Sequence, residues 1–144
     1  MQLIKKASYN MQTFLPYQSF LLTAHCLDMR RLGKQRIEAK QILIALSTPT
    51  YGWQNHPAVK MWKGYESTLA YYGVCICTEW IARGYKDNQL QWFTDRMLIA
   101  KPMPHWLDES FCISHRSNLI RKMPEHYGPM WPSIPNDLEY IWPV

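Results

Sequence analysis

The sequence predicts a compact all-α domain, and three observations predict it. Apolar residues return at spacings of three and four through most of the chain, whereas no stretch shows the alternation of a half-buried strand. Helix-starting Ser and Asp residues and helix-stopping Gly and Pro residues frame the apolar segments. Charged residues make up 19% and hydrophobic ones 47% of 144 residues, a balance that suits one folded domain with a sizeable core. The expected organisation is a single domain over 1–144, with 1–10 as an N-terminal extension, 11–122 as the helical core and 123–144 as an irregular tail.

Residues 1–10 precede a second methionine, Met11, and MQTFLPY then reads as an extended lead-in because Pro16 disfavours helix through it. Ser19 is placed to cap a short helix over 20–26. Asp28 suits the start of the next helix, whose sequence to Leu46 is the most informative in the chain. Five basic residues, Arg30, Arg31, Lys34, Arg36 and Lys40, crowd its first two-thirds around one carboxylate, Glu38, and its last third is apolar. Lys34 and Glu38 are i,i+4 neighbours on one face. Gly33 costs about 1 kcal/mol relative to Ala inside a helix, so a close backbone approach is expected there.

The turn-rich STPTYGWQN ends that helix, and His56-Pro57 opens the longest predicted element. Trp62, Tyr65, Leu69, Tyr72, Ile76 and Trp80 follow at spacings of three and four, predicting one amphipathic helix over 57–83. It would run about 40 Å at 1.5 Å per residue, with Gly84 as a left-handed cap. A weaker helix is expected over 88–100, ended by Lys101-Pro102-Met103-Pro104. Another starts at Asp108 or Glu109 and stops before Pro124, carrying His115, Arg116, Arg121 and Lys122. The rest is rich in Pro and aromatics and is expected to wrap the surface irregularly.

Cys26, Cys75, Cys77 and Cys112 form no CxxC pair, so buried free thiols are expected rather than a disulfide framework or a zinc site. The first residues lack a signal-peptide apolar region, and no apolar run reaches the roughly 18 residues of a membrane span. A cytoplasmic monomer without membrane contact is the expectation. Phosphate-loop, dinucleotide and zinc-protease motifs are missing.

The net charge of +5 suits a polyanionic partner. Cations from two separate helices could neutralise phosphates, and aromatic rings could hold an unstacked base. Candidate DNA contacts are Arg30, Arg31, Lys34, Arg36, Lys40, His56, His115, Arg116, Arg121 and Lys122. For His56 a capping role is the alternative. Glu38, among cations, is expected to stay ionised and to move a proton or stabilise a cation at a sugar carbon. Such a set suits glycosidic cleavage on double-stranded DNA. A non-catalytic basic nucleic-acid-binding module would show the same charges, and so would a solvated face of ordinary helix ion pairs.

The run LDxxxLxxxxxEA, here Leu27, Asp28, Leu32, Glu38 and Ala39, stands before Asn55-His56-Pro57 and a long helix ending Arg83-Gly84-Tyr85. With the lead-in at Met11 to Phe14, this pattern resembles the pyrimidine-dimer DNA glycosylase family, of the phage endonuclease V type with bacterial relatives. The resemblance implies a small all-α DNA repair glycosylase with an abasic-site lyase step and neither metal nor organic cofactor. It further implies an N-terminal α-amine that attacks the sugar C1′, displaces the base and forms an imine, after which β-elimination cuts the strand. An α-amine, with an ordinary pKa of about 7.7–8.0, keeps a usable neutral fraction near neutrality. The family's essential Glu falls on Glu38, and its nucleophile position on Met11 and Gln12, ten residues inside the chain. Its supporting cations correspond to Arg36 and Lys40, and its later basic pair to Arg116 with Arg121 or Lys122. Ile37 stands where the family tends to carry Arg. A lysine such as Lys34 or Lys40 is an alternative imine former.

Overall fold

The computed structural model describes residues 11–50, 52 and 54–144, so the expected extension over 1–10 lies outside the described residues. Seven helices and no strand occur among them. These are α1 (Phe20–Cys26), α2 (Met29–Ser47), α3 (Pro57–Lys60), α4 (Glu66–Ala82), α5 (Leu90–Arg96), α6 (Glu109–Lys122) and α7 (Pro124–Tyr127).

The local signals account for most boundaries. The Ser19 hydroxyl accepts from Leu22 N at the start of α1, and the Asp28 carboxylate accepts from Arg31 N at the start of α2. Asp108 does the same for α6 through Phe111 N at 2.9 Å. The helix expected over 57–83 is divided. His56 Nδ1 accepts from Ala58 N to start the one-turn α3, and the chain then leaves the helix through Gly64, whose φ of +90° favours glycine. Helix α4 resumes at Glu66, whose carboxylate accepts from Gly64 N at 3.2 Å. Gly84, at φ +94°, provides the expected left-handed stop.

Helix α5 is shorter than the expected 88–100, because α4 claims the backbone beyond it. The Ser67 hydroxyl accepts from Leu98 N at 2.7 Å, and the Thr68 hydroxyl donates to Pro102 O at 2.7 Å. Its start is fixed by Asp87, which accepts from Gln89 N at 3.0 Å and Leu90 N at 2.7 Å. Beyond α6 the tail adds the single turn α7, with Pro124 in its first turn, before its irregular course.

Helix α4 is the centre of the packing and lies against α1, α2 and α5. Trp62, Leu69, Tyr72 and Ile76 of the predicted stripe are wholly buried, and Phe93, Phe111, Leu119 and Tyr127 close the core around them. All four cysteines are buried and free. Among the described residues no helix is long and apolar enough to cross a membrane.

Two glycines record close contacts. A Cβ on Gly33 would stand 2.9 Å from the Trp80 ring, the approach its position in α2 predicts. On Gly73 in α4, a Cβ would overlap the buried Phe93 ring outright. Gly73→Ala is therefore expected to destabilise the fold by about 1–3 kcal/mol through overpacking, outweighing the roughly 1 kcal/mol gain in helix propensity. Chemical denaturation of the variant beside the parent measures it.

Candidate active site around Glu38

The lead-in over 11–17 forms neither helix nor strand, bends from Pro16 on, and is buried as far as Pro16. Its backbone groups are instead satisfied by side chains of three helices. From α2, Glu38 Oε2 accepts from Gln12 N at 3.1 Å, Gln35 Oε1 accepts from Phe14 N at 3.1 Å, and Gln35 Nε2 donates to Gln12 O at 2.8 Å. From α4, the Tyr72 hydroxyl donates to Phe14 O at 2.8 Å. From α6, His115 Nδ1 accepts from Leu15 N at 3.0 Å, and Arg116 Nε donates to Pro16 O at 2.7 Å. The indole of Trp62 adds a bond to the Thr13 hydroxyl at 3.0 Å. The Met11 end of the chain is thus fastened beside Glu38.

Glu38 is only 6% exposed. Burial raises its pKa from the ordinary 4.5 to about 7, against the opposing pull of the Gln12 N–H, Lys34, Gln35 and Lys122. This corrects the expectation of a securely ionised carboxylate, because desolvation outweighs the neighbouring cations. A carboxyl that titrates near neutrality can both take up and release a proton during turnover.

Cations from α2 and α6 meet around this carboxyl. Lys34 and Lys122 both favour its charged form. Burial first, then Arg31, Lys34 and Arg121, push the Lys122 ammonium below the ordinary lysine range, so the N-terminal half of α2 and the end of α6 form one cationic surface. Contact between Arg31 Nη1 and Met123 Sδ at 4.0 Å joins the two elements. Arg30, Lys34, Arg121 and Lys122 are exposed, and Arg31 is half-buried.

Several candidate DNA contacts are engaged within the protein. Arg31 pairs with Asp28 at 3.1 Å, and Tyr127 donates to the same carboxylate. Arg36 pairs with Asp87 at 2.7 Å and lies over Trp80. The Lys40 ammonium lies 5.2 Å from the centroid of Trp92. Arg116 pairs with Glu109 at 3.3 Å and stacks over Tyr17. His56 is buried and caps α3. His115, read from the sequence as a phosphate or base contact, is 1% exposed, and desolvation lowers its pKa to about 3. Its neutral ring holds Leu15 in place, which corrects that reading.

A strap of the tail over 136–142 crosses α6. Leu138 N donates to Ser117 Oγ at 3.0 Å, Ile141 N donates to Ser114 Oγ at 3.3 Å, and Arg121 Nη2 donates to Leu138 O at 2.8 Å. The strap sets Tyr140 edge-on against His115, within electrostatic reach of Glu38 and Gln12. Gln35 and Tyr140 received no role from the sequence. Gln35, one turn before Glu38 on the same face, carried a readable signal; Tyr140 carried none. Among the described residues no group of three or more His, Cys, Asp or Glu side chains is placed to hold a metal ion.

A family model described as pyrimidine dimer DNA glycosylase matches residues 11–92, more than half of the chain. The matched region begins at Met11 and contains the lead-in, Glu38 and α4. No curated protein and no solved structure matches.

Proposed function

The chain belongs to the pyrimidine dimer DNA glycosylase family, and from that premise we propose that it removes damaged pyrimidines from duplex DNA by amine attack and then cuts the strand at the abasic sugar. The observation that carries this reading is the bond from Gln12 N to Glu38 Oε2 at 3.1 Å. It holds the start of the matched region against a carboxyl with a pKa of about 7. An α-amine at Met11 would stand one residue from the group suited to take its proton. Attack on C1′ displaces the base, opening of the C1′–O4′ bond with loss of the amine proton then gives the imine, and loss of the proton at C2′ with departure of the 3′ phosphate cuts the strand.

Binding is assigned to the exposed cations around Glu38, namely Arg30, Lys34, Arg121 and Lys122, with Arg31 beside them. Phosphates of a bent duplex would lie across this surface, and affinity would fall steeply with salt. Arg36, Lys40, Arg116 and His115 act by holding the elements that frame the site.

The test is borohydride trapping on duplex DNA carrying an abasic site, with mass spectrometry of the adduct, for a chain starting at Met1 and one starting at Met11. The expected result is an adduct on the Met11 amine of the shorter chain. In the longer chain the same nitrogen is an amide without a basic electron pair. An adduct on a lysine instead keeps the lyase and moves the nucleophile. DNA binding with no adduct from either chain overturns the catalytic reading and leaves a binding module.

A further inference from the structure

Two polar side-chain atoms beside Glu38 are buried without a hydrogen-bond partner, Gln12 Nε2 and the Tyr140 hydroxyl. Most buried polar groups are paired, so two orphans in one place call for an explanation. The orientation of the Gln12 amide is fixed, because its Oε1 accepts from Thr13 N at 3.0 Å. Its NH₂ group, with two hydrogens to donate, therefore points the other way. The residue is 2% exposed, so bulk solvent does not reach it. The amide faces the Tyr140 hydroxyl closely enough to offset part of the rise that burial imposes on it, so the two groups converge on one place. Arg31, Arg121 and Glu38 act on the same hydroxyl.

We propose that the Gln12 amide and the Tyr140 hydroxyl are a donor pair for the carbonyl oxygen of the departing pyrimidine. The inference rests on the glycosylase reading and assigns two residues to the base-release step. In that step the C1′–N1 bond breaks, and its electron pair moves onto the pyrimidine, where it spreads over N1 and the adjacent carbonyl oxygen. The amine forms the new bond to C1′ and gives up a proton to Glu38, while the base leaves as its anion and takes a proton from solvent once it is released. Donors preorganised at the oxygen that gains charge are worth most at that moment, away from water. Glu38 serves the incoming amine, and the pair serves the outgoing base.

Access depends on the strap. Tyr140 is carried by the strap over 136–142, and Arg121 clasps it through the neutral Leu138 and Asn136 carbonyls while also donating to Asn118 Oδ1. Arg121 also belongs to the cationic surface around Lys122. A DNA phosphate on that surface offers the guanidinium a charged acceptor, which holds it more strongly than a neutral carbonyl does. Binding of the backbone thus loosens the strap and opens the donor pair to the base.

The test compares two duplexes under single-turnover conditions, one carrying a thymine–thymine cyclobutane dimer and one a preformed abasic site, from which the base has already gone. Tyr140→Phe removes only the hydroxyl and leaves the strap's hydrogen bonds to Ser114 and Ser117 and from Arg121. It is expected to slow base release about 10²-fold, while trapping at the abasic site changes less than about threefold. Gln12→Met, which keeps length and removes the donors, is expected to give the same split. Equal loss on both duplexes marks a structural role and overturns the proposal, as does no loss on either. The comparison uses the chain that starts at Met11, and failure of that chain without substitution to release the base overturns the glycosylase reading, and this inference with it.

Discussion

Glu38→Gln is expected to lower base release and imine trapping by about 10²–10⁴-fold while the variant still binds duplex DNA. The amide keeps the shape of the side chain and its oxygen can still accept from Gln12 N, at the loss of the bond from Gln35 Nε2, but it neither takes nor gives a proton. The substitution also has a stability signature that separates loss of chemistry from loss of fold. In the folded protein the Glu38 pKa is about 7 against an ordinary 4.5, so between those values the folded state holds more protons than the unfolded one. Stability contributed by this group is therefore present below pH 4.5 and is lost as pH rises to about 7. The Gln variant does not carry this loss. Its melting temperature should gain on the parent's as pH is raised from 5 to 8, with a free-energy gap of about 3 kcal/mol at the upper end. A gap that stays constant with pH would show that the carboxyl titrates where an exposed glutamate does.

Gln35→Leu is expected to be the most damaging single change to stability. Gln35 is wholly buried and uses both ends of its amide. Its Oε1 accepts from Phe14 N and from the Tyr72 hydroxyl at 2.6 Å, while its Nε2 donates to Gln12 O and to Glu38 Oε1 at 3.3 Å. Leucine has similar volume but satisfies none of these. Phe14 N and Gln12 O would be left buried without partners, at about 1–3 kcal/mol each. The expected loss is about 3–5 kcal/mol, read from urea unfolding. Hydrogen exchange should locate the loosened amides at Phe14 and its neighbours first. An exchange pattern unchanged over 11–17 would show that Glu38, Tyr72, His115 and Arg116 hold the lead-in without Gln35.

What the sequence revealed and what it hid divide along the distance over which a signal acts. Ser19, Asp28, Gly33 and Gly84 act on their own helices or report a contact that their residue type betrays, and each was legible. The break at Gly64 was not, because Trp62, Tyr65 and Leu69 keep helical spacing straight through it. The early end of α5 depends on Ser67 and Thr68, some 30 residues away by chain position. Glu38 stood out as the one acid among cations, but its burial depends on contacts that no local pattern announces. Gln12 is 26 residues from it along the chain, and Tyr140 lies at the far end of the sequence. The same holds for His115, whose neighbours in sequence suggest a charged surface while its neighbours in space are Phe111, Leu15 and Tyr140.

The lead-in has a kinetic consequence. Leu15 bonds to His115 and Pro16 to Arg116, each across 100 positions, and Tyr17 accepts from Trp131 across 114. Loops of that length close late and at an entropic cost that must be met before any of these bonds rewards it. The helices α1, α2, α4 and α5 can form their mutual contacts without waiting for this segment. Refolding from denaturant should then show two resolved events, an early recovery of helical signal and a slower burial of Trp131. The catalytic constellation would belong to the second, so that a molecule already compact and helical remains unable to act until its lead-in has met α6 and the tail.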